Sequence, residues 1–155
     1  RRGELSLAAG EAQYALQRLE CPTPRLVLGL ALRGLASSCL DVSDGLLGDL
    51  QHILRASGVG AVLQASALLD MAANCAVLPA LAAAQRLDFL CHGGDDYELL
   101  FTAPAVQAAA VLQAAHQAGC TVQRIGRIVA ADAGLQVQDA GGQALELAAT
   151  GFTHF

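Results

Sequence analysis

The sequence predicts an α+β domain in which helices pack against a mixed sheet, and three observations carry that prediction. Short apolar runs of strand length alternate with alanine-rich stretches of helical periodicity along the chain. Gly, Pro and Asp-Gly punctuation separates most of them. The 155 residues suit a single domain, residues 1–155, with a sizeable core.

Residues 4–20 set Leu5, Ala8, Ala9, Ala12, Leu16 and Leu19 at helical spacing and predict a first helix. Cys21-Pro22-Thr23-Pro24-Arg25 stops it, because each proline lacks an N–H and pushes its predecessor toward extended geometry. Residues 26–36 predict a second, short helix. Residues 37–43 predict a strand, followed by Asp44-Gly45 and a helix carried by Leu46, Leu47, Leu50, Ile53 and Leu54 that ends near Ser57-Gly58. Residues 59–64 begin the next strand, and residues 68–87 predict one or two helices broken near Pro79.

After Gly93-Gly94, a strand is predicted in which Tyr97, Leu99 and Phe101 share one face while Glu98 and Leu100 share the other. Pro104 closes it. Residues 105–118 predict a helix ended by Gly119, and residues 121–129 and 135–138 predict the last strands.

Composition excludes several kinds of chemistry. All nine basic residues are arginine against fourteen acidic ones, a net charge of -5 with no basic run, which fits poorly with neutralising the phosphates of a nucleic acid. The absence of lysine rules out a Walker-type P-loop, a Schiff base and a lysine general base within this sequence. Phosphate chemistry here has to use arginine, backbone N–H groups or metal ions. Five cysteines, widely spaced and without a Cys-x-x-Cys pair, fit reduced thiols better than a disulfide framework or a zinc site. No apolar run reaches the roughly 18 residues a membrane span needs, so a cytoplasmic protein without membrane association is the expectation.

Half of the acidic residues fall in two short stretches: Asp41, Asp44 and Asp49 in one, Asp88, Asp95, Asp96 and Glu98 in the other. In Asp41-Val42-Ser43-Asp44-Gly45 the first carboxylate ends a strand and the second stands at the mouth of a helix. Two carboxylates across a tight turn suit a hard cation such as Mg²⁺, and a helix N-terminus suits phosphate. The same residues also suit simple capping, with Ser43 or Asp44 satisfying an orphan helix N–H. Both readings stay open, and they are compatible. In Gly93-Gly94-Asp95-Asp96 the glycines permit close approach by a ligand, and the adjacent carboxylates call for a nearby cation unless the loop is a solvated turn. Arg25 and Arg33 are candidates for phosphate by sequence proximity alone. His52 and His116 read as ordinary surface or boundary residues of helices.

Four motifs occur in order: Cys21-Pro22-Thr23-Pro24-Arg25 with Leu28-Gly29, Asp41-Val42-Ser43-Asp44-Gly45-Leu46, residues 93–102 as Gly-Gly-Asp-Asp-Tyr-Glu-Leu-Leu-Phe-Thr, and Gly151-Phe152-Thr153-His154-Phe155. Together they closely resemble the C-terminal half of the thiamine-monophosphate kinase family, within the superfamily of aminoimidazole ribonucleotide synthetase. The resemblance covers essentially the whole chain. It implies the fold of that superfamily's C-terminal domain, and an enzyme using Mg²⁺ and ATP to phosphorylate thiamine monophosphate to thiamine diphosphate.

Carried over by motif, Asp41 and Asp44 are Mg²⁺ ligands, Ser43 contacts ATP, and Asp95 and Phe152 contact the thiamine substrate. Two departures accompany this. Asp95 stands where many relatives have Glu, and Phe152-Thr153 stands where Tyr-Asp is common, so a phenol hydroxyl and a carboxylate are lost while an aromatic face remains. The resemblance further implies an N-terminal domain, absent from this chain, that supplies most metal and nucleotide ligands and a homodimer interface. The chain alone is then expected to be inactive. A non-catalytic binding or oligomerisation module, and a superfamily enzyme for another phosphorylated substrate, are the competing readings.

Overall fold

A computed structural model describes residues 9–73, 81–94 and 97–146. Helix α1 spans Ala9–Glu20, α2 Leu26–Ala31, strand β1 Ser38–Asp41, α3 Leu46–Ser57, β2 Gly60–Gln64, α4 Ala65–Ala73 and α5 Ala83–His92. Strand β3 (Leu99–Thr102), a 3₁₀ turn (Ala105–Gln107), α6 (Ala108–Gln117), β4 (Gly126–Val129), a second 3₁₀ turn (Ala131–Ala133) and β5 (Leu135–Gln138) complete the order. β1 and β3 form an antiparallel pair, and β2 is the centre of a second sheet, antiparallel to β4 and parallel to β5. The predicted α+β class with a mixed sheet is what the chain adopts.

The main core lies where α3 and α5 meet the strands. Leu46, Leu50, Ile53 and Leu54 recur at helical spacing on α3 and are buried with Leu63 of β2, Leu68 of α4 and Cys91 of α5. Leu68 and Cys91 are fully enclosed, and burial, with Asp88 nearby, pushes the Cys91 thiol up to about 11. A second, smaller core joins Leu28 and Leu32 from the α2 region to Val111 and Ala115 of α6. β3 divides the two: Leu100 packs into the first, while Leu99 and Phe101 pack against the second. The two-residue period of a strand explains this division.

Several boundaries differ from the sequence expectation for local reasons. The helix foreseen from residue 105 opens as a 3₁₀ turn behind Pro104 before α6 begins. Only Gly126–Val129 of the predicted 121–129 strand pairs with β2, because β2 ends at Gln64 and the chain turns directly into α4. Ile125 still accepts the Gln64 N–H at 2.8 Å, so the approach to β4 is anchored without forming a ladder. The predicted break near Pro79 lies outside the described residues, although α4 and α5 do lie on either side of it.

Candidate functional site

Strand alternation explains why Asp41 faces solvent: along β1, Leu40 turns toward the core and Asp41 away from it, while Val42 beyond the strand is buried. The β1–β3 pairing continues past the strand ends. The Val42 N–H donates to the Glu98 carbonyl and the Tyr97 N–H to the Val42 carbonyl, both at 2.9 Å. The first acidic motif therefore runs side by side with the end of the second. Tyr97 itself has a φ of 51°, in the left-handed region, which interrupts the predicted strand and delays β3 to Leu99.

Two glycines let the loops meet. Gly45 has a φ of 104°, and a Cβ there would lie 3.0 Å from the His92 carbonyl carbon and oxygen at the end of α5. A Cβ at Gly94 would overlap the carbonyl oxygen of Ser43. Backbone thus packs on backbone between the Ser43-Asp44-Gly45 turn and the Gly93-Gly94 loop.

The N-cap residue of α3 is Gly45, which has no side chain to cap with, rather than Ser43 or Asp44. The Ser43 and Asp44 N–H groups instead donate to Asp49 Oδ2, at 2.8 and 3.0 Å. Asp49 is only 4% exposed, whereas Asp41 and Asp44 are exposed and Ser43 is half-buried. Ligand atoms of Asp44, Asp49 and His52 all lie within 4.8 Å of one another, a spacing compatible with a shared cation. His52 was missed by reading the sequence, although its place three residues after Asp49 on α3 puts both on one helical side.

Glu98 has a different role from its acidic neighbours. Arg25 donates through Nε to Oε2 at 2.8 Å and through Nη2 to Oε1 at 2.6 Å, and Arg18 Nη2 reaches Oε1 at 2.7 Å. Hydrogen bonding to Glu98 holds the Arg25 guanidinium above its ordinary value against the opposing effect of burial. Among the described residues, the cations at Glu98 are therefore the Arg18 and Arg25 guanidinium groups, and Arg25 holds Glu98 at two points. His92 Nδ1 lies 3.0 Å from Asp88 Oδ1. Asp95 and Phe152, the substrate contacts implied by the motifs, lie outside the described residues.

Residues 7–138 match the family described as AIR synthase related protein, C-terminal domain. The chain is 39% identical over 146 residues to the thiamine-monophosphate kinase of Salmonella typhimurium, a match covering 94% of this chain and 43% of that enzyme. The crystal structure of thiamine-monophosphate kinase from Stenotrophomonas maltophilia superposes with a TM-score of 0.68 at 37% identity, covering 90% of this chain and 42% of the other. A solved structure described as AaThiL complexed with AMPPCP and TMP shares the fold, with a TM-score of 0.66 at 24% identity over 97% of this chain and 44% of the other. The chain spans less than half the length of these relatives. Among the described residues, no helix is long and apolar enough to cross a membrane.

Proposed function

Because this chain belongs to the AIR synthase related proteins, as their C-terminal domain, we propose that it forms the C-terminal part of a thiamine-monophosphate kinase, transferring the γ-phosphoryl group of ATP to thiamine monophosphate. The observation that carries the reading is the 39% identity to such a kinase across 94% of the chain. The packing of the Ser43-Asp44 turn against Gly94 adds a local reason, since the first acidic motif then lies beside the glycines that open the second.

The acceptor in this reaction is a phosphate oxygen, which is already nucleophilic near neutral pH, so no general base is required. The obstacle is repulsion between phosphate groups. Exposed carboxylates on a backbone-anchored turn are the hard oxygen donors that suit Mg²⁺, and Asp41 and Asp44 are the residues to hold it. Bound Mg²⁺ supplies charge neutralisation and alignment of the phosphates. The Ser43 hydroxyl meets ATP. Asp95 and the Phe152 ring meet the thiamine moiety, whose cationic thiazolium suits a carboxylate and an aromatic face. An N-terminal half, corresponding to the unmatched part of the relatives, supplies the remaining ligands and a homodimer interface, and the assembled enzyme works in the cytoplasm. Without that half the chain does not turn over.

Substrate competition tests the reading. Thiamine monophosphate should be phosphorylated in preference to other phosphate monoesters offered to the full-length protein at equal concentration. Preference for a different monoester would assign the site to another substrate.

A further inference from the structure

Asp49 is the only buried charged side chain among the described residues. A carboxylate removed from water is costly unless hydrogen bonds replace its hydration. Here one oxygen, Oδ2, receives the consecutive N–H groups of Ser43 and Asp44, and the carboxylate sits in the first turn of α3, near the positive end of the helix dipole. These bonds reach back six and five residues, from the helix to the turn that precedes it. They fix both peptide planes, and with them the directions in which the Ser43 hydroxyl and the Asp44 carboxylate leave the chain.

We infer that Asp49 is a positioning residue that pre-forms the Ser43-Asp44 turn before any ligand arrives. The inference rests on the reading of that turn as the kinase's nucleotide and metal site. Asp44, Asp49 and His52 are close enough to share a cation, but Asp49 Oδ2 is engaged by two N–H donors. Through that oxygen Asp49 acts on the backbone of Ser43 and Asp44, and Asp44 presents the ligand. Preorganisation of this kind removes an ordering cost from binding and holds reacting groups in line.

The test uses the full-length protein with Asp49→Ala and Asp49→Asn. The asparagine carbonyl oxygen can accept both N–H groups without the charge. Amide hydrogen exchange at Ser43 and Asp44 is measured without nucleotide, with Leu63 in the central strand as reference, alongside the Mg²⁺ concentration giving half-maximal rate. Asp49→Ala should speed exchange at Ser43 and Asp44 roughly tenfold, leave Leu63 nearly unchanged and raise the Mg²⁺ requirement. Asp49→Asn should restore most of both.

Unaltered exchange in Asp49→Ala would overturn the inference. Restored protection with an unrestored Mg²⁺ requirement in Asp49→Asn would overturn it too, making Asp49 a ligand. If Asp49→Ala does not fold, exchange in Asp49→Asn decides, and loss of protection there with the core intact counts against the bond. A wild-type protein without thiamine-monophosphate kinase activity would refute the kinase reading, while the exchange comparison would still decide whether Asp49 holds the turn.

Discussion

Gly94 lies so close to Ser43 that any side chain at position 94 would overlap the Ser43 carbonyl oxygen. The contact joins two loops about fifty positions apart in sequence. It is reinforced by the Val42–Glu98 and Tyr97–Val42 backbone bonds. Residues on either side of this seam are those to which the kinase reading assigns nucleotide, metal and substrate.

Gly94→Ala is expected to force the loops apart. Backbone cannot yield as a flexible side chain does, so the destabilisation should be about 1–3 kcal/mol, the usual range for overpacking. Urea unfolding measures it, and activity should fall further than stability because the seam runs through the site. An alanine variant with wild-type stability would mean that the loops are not in this contact.

The Arg25–Glu98 pair should contribute modestly. Its side chains are 27% and 46% exposed, so solvent screens the pair, and the coupling in a double-mutant cycle of Arg25→Ala and Glu98→Gln is expected on the order of 1 kcal/mol. The coupling should shrink with added salt. A coupling of zero at low salt would show that the fork does not form in solution.

Asp44→Ala in the full-length protein separates chemistry from folding. An exposed turn carboxylate adds little to a core, so the stability change should stay within about 0.5 kcal/mol. Turnover should fall on the order of 100-fold through loss of a metal ligand. Parallel thermal melts and initial rates give both values, and wild-type turnover in the variant would remove Asp44 from the metal site.

Much of this was legible in the sequence. The apolar spacing of α3 and the alternation in β3 are direct consequences of periodicity, and β5 begins and ends where it was foreseen, at Leu135–Gln138. Motif order pointed to the family. Two features were not legible because they depend on pairings distant in sequence or on fine geometry. Glu98 was visible only as one more acidic residue of its stretch until the fold brought Arg18 and Arg25 to it. Asp49 was visible as an acidic residue, but its burial and its reach back to Ser43 and Asp44 depend on how α3 leaves Gly45.

The most direct measurement is thiamine diphosphate formation from ATP, Mg²⁺ and thiamine monophosphate, by this chain alone and by the same chain joined to the N-terminal half of a thiamine-monophosphate kinase relative. Product from the joined protein only is the expected result. Product from the isolated chain would contradict a site shared between two halves, and no product from either would contradict the kinase assignment.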